Sequence, residues 1–137
     1  MACVKEENCP IGDDLLPIYE KMKSADAIIL STPVYFGSAT ALLKAFMERT
    51  GYIGRPGTVF KGKVGGPLVV ARRAGQNFTF AQLMYWFHIM GFIMPGSTYW
   101  NIAFGREKGE VSNDEEGLRT VWNFGKNLAL LVKKLET

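Results

Sequence analysis

Two stretches of the chain are apolar at nearly every position, which predicts strands buried on both faces of a sheet. They cover residues 27–31 and 64–71. Pro33 is expected to end the first strand, because proline cannot donate a backbone hydrogen bond to a neighbouring strand. A third strand region is predicted at residues 92–94 and 99–102, where a proline and a glycine interrupt the apolar pattern.

Four other stretches have apolar residues at a spacing of three or four, which predicts amphipathic helices with one face in a core. They cover residues 13–24, 38–49, 78–90 and 114–135. Gly51 is expected to stop the second helix, and residues 51–63 then form a long, basic surface loop of the kind that is often functional. Gly91 is expected to close the third helix.

This alternation of helices and strands predicts an α/β fold, in which a parallel sheet is built with right-handed crossovers. The pattern begins with a helix, however, and three strands are few, since sheets usually have about five or six. The edge of the first strand is therefore expected to be open, and part of the fold is expected to be missing before residue 1.

Composition narrows the class of protein further. The 137 residues suit a single domain, and the net charge of +3 comes from basic residues spread along the chain, which argues against nucleic-acid binding. The longest apolar runs are far shorter than a membrane span, and no signal-peptide pattern is visible, so a cytoplasmic protein is expected. Only two cysteines, Cys3 and Cys9, are present, too few for a disulfide scaffold.

The loop after the first predicted strand has the features of a ligand-binding loop. In an open parallel α/β sheet, ligands lie beyond the carboxyl ends of the strands, next to helix N-termini. Residues 33–38 combine backbone amides with the aromatic side chains Tyr35 and Phe36, which suits a flat aromatic ligand, and Gly37 allows close approach. The alternative is an ordinary strand-to-helix turn with Ser38 as N-cap and the aromatic side chains in the core.

The loop after the second predicted strand offers similar groups. Gly75 allows close approach of the backbone, while Gln76 and Asn77 could donate to the carbonyl groups of a ring or cap the next helix. Arg72 and Arg73 could bind a phosphate group or remain solvated. Backbone contact is the main role expected of this loop.

No side chain is predicted to be catalytic. His88 is the only histidine, and its position after Trp86 and Phe87 on a predicted helix favours packing against the core or an interface. No hydroxyl or thiol has a recognisable partner, and the sequence contains neither a histidine–carboxylate metal spacing nor a Walker loop. Any chemistry is therefore expected to come from a cofactor.

Several segments together resemble the flavodoxin-like NADPH-dependent FMN reductase superfamily, and within it the iron–sulfur flavoproteins of archaea and anaerobes. These segments cover residues 13–14, 19–22, 25–29, 33–37, 43–49, 60–66, 73–76 and 86–91 and continue into the last helix. The resemblance implies a single flavodoxin-like domain over residues 1–137, a three-layer α/β sandwich with a parallel sheet that is truncated at its N-terminus. It also implies FMN as the cofactor.

The same resemblance implies a function and a site. The function is that of an FMN-dependent oxidoreductase or electron-transfer flavoprotein, in which the flavin takes hydride or electrons from NAD(P)H or a redox partner. The cofactor-binding residues are expected to be Pro33, Val34, Tyr35, Phe36, Gly37, Ser38, Ala71, Arg72, Arg73, Gly75 and Gln76. The alternative is a truncated, non-enzymatic remnant that forms oligomers and does not bind FMN.

In the iron–sulfur members of this superfamily, four closely spaced cysteines lie just before the paired aspartates, and Cys3 and Cys9 resemble the last two of them. The first two would lie before Met1, together with the first strand, the phosphate-binding loop, the first helix and the second strand. Two cysteines cannot supply the four thiolates that a cluster normally takes, so neither an iron–sulfur cluster nor a metal ligand is expected in this chain.

Aromatic and methionine residues exceed what three strands can bury, so some are expected at contacts between subunits. They include Tyr52, Phe60, Phe80, Met84, Tyr85, Trp86 and Trp100. In the resembled family the flavins lie near dimer interfaces, and a homo-oligomer, either a dimer or a tetramer, is therefore expected.

Overall fold

Helices and strands alternate along the chain, as the pattern of apolar residues predicts. The computed structural model describes Cys3, residues 6–56 and residues 58–135. The helices used below are α1 (Leu15–Ser24), α2 (Ala41–Gly54), α3 (Gln76–Ile89) and α4 (Glu115–Leu135), and a 3-10 turn at Glu110–Asn113 precedes α4. The strands are β1 (Ala27–Tyr35), β2 (Ser38–Ala39), β3 (Val64–Ala71) and β4 (Ile102–Phe104).

The described strands form a four-stranded sheet in the order β2-β1-β3-β4. β1 and β3 are parallel, from Ala27 opposite Val64 to Pro33 opposite Val70, and β4 runs parallel to the end of β3. The short strand β2 is antiparallel and pairs with the last two residues of β1. The predicted α/β fold with a mainly parallel sheet is therefore confirmed.

Helices cover the sheet in two layers. α1, α2 and α3 share one core with one face of the sheet, in which Phe60 and Phe87 are fully buried. α4 lies on the opposite face, where it contacts β3 and β4. A Cβ at Gly65 would lie 2.8 Å from the ring of Phe87, and one at Gly66 would lie 2.9 Å from the ring of Phe124. Aromatic rings thus pack directly on the backbone of β3 from both faces.

α3 is fixed against α2 by its tryptophan. The indole N–H of Trp86 donates to the carbonyl of Met47 at 2.8 Å, and its ring lies beside those of Phe60 and Phe92. A Cβ at Gly51 would lie 3.4 Å from the same indole nitrogen, so this glycine lets the two helices approach closely. The prediction that Gly51 stops the helix is wrong, since α2 continues beyond it and shortens the basic loop.

The prediction for the first strand needs correction. β1 does not end at Pro33 but continues to Tyr35, and it is buried on one face only. Its residues 28, 30 and 32 are buried, whereas residues 29, 31 and 33 are exposed. The reason is that α4 covers β3 and β4 and leaves the outer face of β1 uncovered.

The third strand region is shorter than predicted. Its first half contributes an isolated bridge between Ile93 and Val64, and the regular strand begins at Ile102. Between these points the hydroxyl of Ser97 donates to the carbonyl of Thr120 at 2.6 Å. This bond draws the segment towards α4, so it does not continue along the edge of β3.

Large apolar side chains are divided between core and surface. Phe60 and Trp86, expected at subunit contacts, are instead buried, because they form the aromatic centre of the core. Tyr52, Tyr85 and Trp100 are between 49% and 75% exposed. Within the described residues, no helix combines the length and apolar character needed to cross a membrane.

Candidate functional site

A two-residue turn joins β1 to β2 at the carboxyl end of the sheet. Its residues, Phe36 and Gly37, have positive φ angles of 50° and 78°, which suit a tight β-hairpin. Glycine adopts such a φ readily, but phenylalanine is strained there. The side chain of Phe36 is nevertheless fully exposed, and the preceding Tyr35 is 63% exposed. The alternative prediction, with these aromatic side chains in the core, is therefore wrong.

The hairpin is held in place by a glutamine of α3. The side-chain oxygen of Gln82 accepts hydrogen bonds from the Ser38 hydroxyl at 3.0 Å and from the Ala39 N–H at 3.2 Å. Ser38 therefore belongs to β2 and does not cap α2. The N-cap is Thr40, whose side-chain oxygen accepts from the N–H of Leu43.

The loop after β3 lies directly against this turn. Gly75 has a φ of 84°, and a Cβ there would lie 2.8 Å from the Cα of Gly37 and 2.9 Å from the Cγ1 of Val34. Only glycine satisfies both the backbone angle and the close contact. Two loops that the sequence predicts separately are thus brought together at one corner of the molecule.

α3 begins at this corner with its first N–H groups uncapped. Its N-cap is Gly75, which has no side chain to accept hydrogen bonds from the first turn. The exposed side chains of Arg72 and Arg73 make no hydrogen bond or ion pair with another described residue. Together these groups create a positive potential, which suits a negatively charged or oxygen-rich ligand.

A cavity of about 270 Å³ adjoins the other side of the loop. It lies between the starts of α3 and α4, and Tyr99 and Trp100 contribute to its wall. The side-chain oxygen of Gln76 is buried and has no hydrogen-bond partner in the part of the chain that the structure describes. Gln76 is therefore free to accept a hydrogen bond from a bound molecule.

Ala71 differs from the other predicted site residues. Its side chain is only 2% exposed, and its carbonyl accepts from the N–H of Gly105 at 3.1 Å. Ala71 therefore supports the loop from within the sheet and presents no side chain to a ligand. The remaining predicted residues lie exposed or half-buried at the corner, namely Pro33, Val34, Tyr35, Phe36, Gly37, Ser38, Arg72, Arg73, Gly75 and Gln76.

Sequence reasoning missed two residues that shape this corner. One is Gln82, whose only signal is a polar side chain within the largely apolar α3. The other is Thr32, which is 2% exposed and accepts from the N–H of Thr40 at 3.2 Å. His88, by contrast, is exposed near the end of α3, so its side chain does not pack in the core, and its predicted place at an interface stays a prediction.

A second polar cluster lies around one of the cysteines. Arg49 of α2 donates to the Sγ of Cys9 at 3.1 Å and to both carboxylate oxygens of Asp13 at 2.6 and 3.0 Å. The hydrogen bond from Arg49 lowers the pKa of the Cys9 thiol, and a backbone hydrogen bond with Ile11 lowers it further. The same guanidinium group lowers the pKa of Asp13.

An iron–sulfur cluster does not fit these residues. Such clusters are normally held by four thiolates, whereas the chain has two cysteines. Within residues 6–56 and 58–135 and at Cys3, no group of three or more His, Cys, Asp or Glu side chains is placed to hold a metal ion. No chemistry is therefore assigned to a cluster in this chain.

A family model described as NADPH-dependent FMN reductase matches residues 1–107. The chain belongs to this family. Membership confirms the resemblance seen in the sequence segments, and it supports a flavin-associated role in oxidation–reduction or electron transfer.

Relatives of this FMN reductase family member include iron-sulfur flavoproteins of archaea. One from Methanocaldococcus jannaschii is 40% identical, over 98% of this chain and 72% of the relative. One from Methanosarcina thermophila is 36% identical, over 98% of this chain and 71% of the relative. One from Archaeoglobus fulgidus is 33% identical, over 98% of this chain and 73% of the relative. More than a quarter of each relative therefore lies outside its match with this chain.

Solved structures confirm the fold. RosB, in a crystal structure with bound 8-demethyl-8-formylriboflavin-5'-phosphate, superposes with a TM-score of 0.74 at 17% identity, over 93% of this chain and 55% of RosB. A WrbA-like flavodoxin from Agrobacterium tumefaciens superposes with a TM-score of 0.68 at 18% identity, over 85% of this chain and 71% of the flavodoxin. At these identities the likeness shows the fold alone, and the predicted flavodoxin-like α/β sandwich is confirmed.

Proposed function

We propose that this chain binds FMN at the corner formed by the β1–β2 turn and the loop after β3. There it would work as an FMN-dependent oxidoreductase or electron-transfer flavoprotein. The observation that carries this proposal is the contact between Gly75 and Gly37, which joins two loops of suitable chemistry into one site. FMN, when bound, supplies the redox chemistry by taking up and releasing hydride or electrons.

The backbone and the aromatic side chains of the corner would bind and orient the flavin ring. The uncapped N–H groups at the start of α3 can donate to ring oxygens and stabilise negative charge on them. Phe36 and Tyr35 offer aromatic surface that excludes water from one side of a flat ring. Gly37 and Gly75 let the backbone come close to it.

Polar side chains would fix the polar parts of the ligands. The buried oxygen of Gln76 can accept from a ring N–H, a bond that it does not make within the described chain. Arg72 and Arg73 can pair with a phosphate, either of FMN or of a nicotinamide nucleotide. NAD(P)H or a redox protein is accordingly proposed as the source of electrons.

Titration of the purified chain with FMN tests this function. Binding is expected to change the flavin fluorescence and to leave the protein yellow after gel filtration, with absorbance near roughly 450 nm. Anaerobic addition of NADPH or NADH bleaches that absorbance if a nicotinamide nucleotide is the donor. Bound FMN that dithionite reduces but neither nucleotide reduces would assign the donor to a redox protein. A colourless protein that FMN does not titrate would contradict the proposal and favour the non-enzymatic alternative.

A further inference from the structure

The cavity between the starts of α3 and α4 has an aromatic and apolar wall. Tyr99 and Trp100 are 62% and 49% exposed, and their ring centroids lie 4.8 Å apart. Ile102 and Phe104 of β4 also line the cavity. Its volume of about 270 Å³ is slightly below that of pockets for a whole drug-sized ligand, about 300–1,000 Å³. The cavity therefore suits a flat ring at one end of a larger ligand.

Two carboxylates lie at the same cavity, at the start of α4. Asp114 accepts from the N–H of Gly117 at 2.9 Å with one oxygen and from the N–H of Phe104 at 2.7 Å with the other. These bonds hold its carboxylate in place beside the cavity. The exposed carboxylate of Glu116 makes no hydrogen bond or ion pair with another described residue. Its oxygens are therefore free to accept from hydroxyl groups of a ligand.

The two helices that meet at the cavity begin with opposite charge. α3 begins with uncapped N–H groups, and Arg72 and Arg73 lie in the loop before it. The positive end of α4 is offset by its capping residue Asp114 and by Glu115 and Glu116 in its first turn. A phosphate group is therefore attracted to the start of α3 and repelled from the start of α4.

The loop after β3 connects the flavin corner with the cavity. Gly75 contacts Gly37 at the corner, and the next two residues, Gln76 and Asn77, line the cavity. The two arginines belong to the same loop. A ligand that follows this loop thus meets a site for a flat ring, cationic groups that suit phosphates, and a second site for a flat ring. A nicotinamide dinucleotide has its nicotinamide, pyrophosphate and adenine in the same order.

We propose that this cavity binds the adenosine end of the electron donor and that its carboxylates select NADH over NADPH. The inference rests on the function proposed above, because it specifies the donor for that function. The adenine would stack on Trp100, and Glu116 would accept from the ribose hydroxyl groups. NADPH carries a phosphate on the 2′ oxygen of that ribose, which adds a charge of about −1.5 to −2 beside Asp114 and Glu116.

The arginines of the loop do not counteract this selection. Both nucleotides carry the same pyrophosphate, so Arg72 and Arg73 can pair with either of them. Only the charge at the start of α4 differs in its effect on the two nucleotides. The family model is described as NADPH-dependent, so a preference for NADH would come from this chain's own acidic residues.

Two redox-inactive fragments test the selection without FMN. ADP-ribose contains the adenosine and pyrophosphate of NADH, and 2′-phospho-ADP-ribose contains those of NADPH. In calorimetric titrations of the purified chain at low ionic strength, ADP-ribose should bind at least about tenfold more tightly. Glu116→Gln should reduce that ratio at least about threefold. Glu115→Gln is the matched control, because Glu115 is exposed in the same turn but does not line the cavity, and it should change the ratio less than about twofold.

A second pair of variants tests the aromatic wall. Trp100→Ala should weaken the binding of ADP-ribose at least about tenfold, because it removes the stacking surface. Trp122→Ala is the control, since Trp122 is 70% exposed on α4 but does not line this cavity, and it should leave the affinity within about twofold. Circular dichroism of each variant verifies its folding.

The proposal is overturned if ADP-ribose does not bind or if 2′-phospho-ADP-ribose binds as tightly. It is also overturned if either variant of the cavity behaves like its control. FMN titration of the same protein tests the proposed function separately. A chain that binds FMN but not ADP-ribose would keep that function and lose the adenosine site. A chain that binds ADP-ribose with the expected preference but not FMN would support the adenosine site and contradict the proposed function.

Discussion

Gly75 is the residue on which the candidate site most depends. Gly75→Ala would place a methyl group 2.8 Å from the Cα of Gly37 at a φ of 84°. We expect a loss of about 1–3 kcal/mol in the free energy of unfolding and at least about tenfold weaker FMN binding. Urea unfolding and FMN titration measure the two effects. Gly109→Ala is the control, because Gly109 has the same φ but no atom within 4 Å of its added Cβ.

Replacing Phe36 should raise the stability of the fold but weaken FMN binding, whereas replacing Gly75 should lower both. The φ of 50° at Phe36 is strained for a side chain that is fully exposed, so Phe36→Gly should stabilise the fold by about 1 kcal/mol. The same change removes an aromatic surface and should weaken FMN binding. Thr58→Gly relieves a similar φ of 53° in the loop after α2 and should leave FMN binding unchanged. Equal FMN affinity for Phe36→Gly and the original chain would remove Phe36 from the site.

The contact between Cys9 and Arg49 should make the free energy of unfolding depend on pH. The thiol pKa of Cys9 lies below the ordinary value of 9.0 because Arg49 donates to the sulfur, so the fold favours the thiolate. Stability from this pair is therefore fully present above pH 9 and is lost as pH falls through the lowered pKa. In a Cys3→Ser background, Arg49→Gln should move the thiolate absorbance transition to higher pH. An unchanged transition would mean that Arg49 does not control the thiol.

At the scale of elements, the hairpin depends on α3. Gln82→Ala leaves the Ser38 hydroxyl and the Ala39 N–H without their common acceptor and should cost about 1–3 kcal/mol. Ser38→Ala removes only one of the two bonds and should cost less. Urea unfolding of both variants and of the double variant measures the difference. If Ser38→Ala costs as much as Gln82→Ala, the bond to Ala39 contributes nothing.

The elements also show what the sequence could predict. β3 has the predicted bounds, because its apolar run is buried by helices on both sides. β1 runs through Pro33 because Pro33, like Ile29 and Ser31, faces the open edge, where its missing N–H costs no pairing. The sequence predicts an open edge for this strand, but which residues point towards it depends on how β1 pairs with β2 and β3. The positions of the two loops followed from strand ends, whereas the contact of Gly75 with Gly37 depends on how strands pair in space.

At the scale of the whole molecule, helices on both faces of the sheet pack on β3, which has two adjacent glycines, Gly65 and Gly66, near its start. Gly66→Val would place atoms against the ring of Phe124, 2.9 Å from the new Cβ, and push α4 away from the sheet. We expect a loss of about 1–3 kcal/mol in the free energy of unfolding, measured with urea. Gly96→Val is the control, because nothing lies within 4 Å of a Cβ there. A loss no larger than that of the control would show that α4 adapts freely.

The oligomeric state remains a prediction at this scale. Tyr85, Tyr99 and Trp100 are all at least 49% exposed, and such side chains are common in subunit contacts. Sedimentation of the chain alone would show whether it forms the expected dimer or tetramer.

Side-chain hydrogen bonds hold helix α2 at two places, at its N-cap and near its middle. Near its start, the N–H of Thr40 donates to Thr32 beneath the hairpin, and nine residues later Arg49 holds Cys9 and Asp13. These points are about 14 Å apart along a helix axis. A helix transmits displacement along its length because its backbone is stiff. Oxidation of the Cys9 sulfur would weaken its hydrogen bond with Arg49, and it is therefore expected to loosen the half of α2 that lies farther from the candidate site.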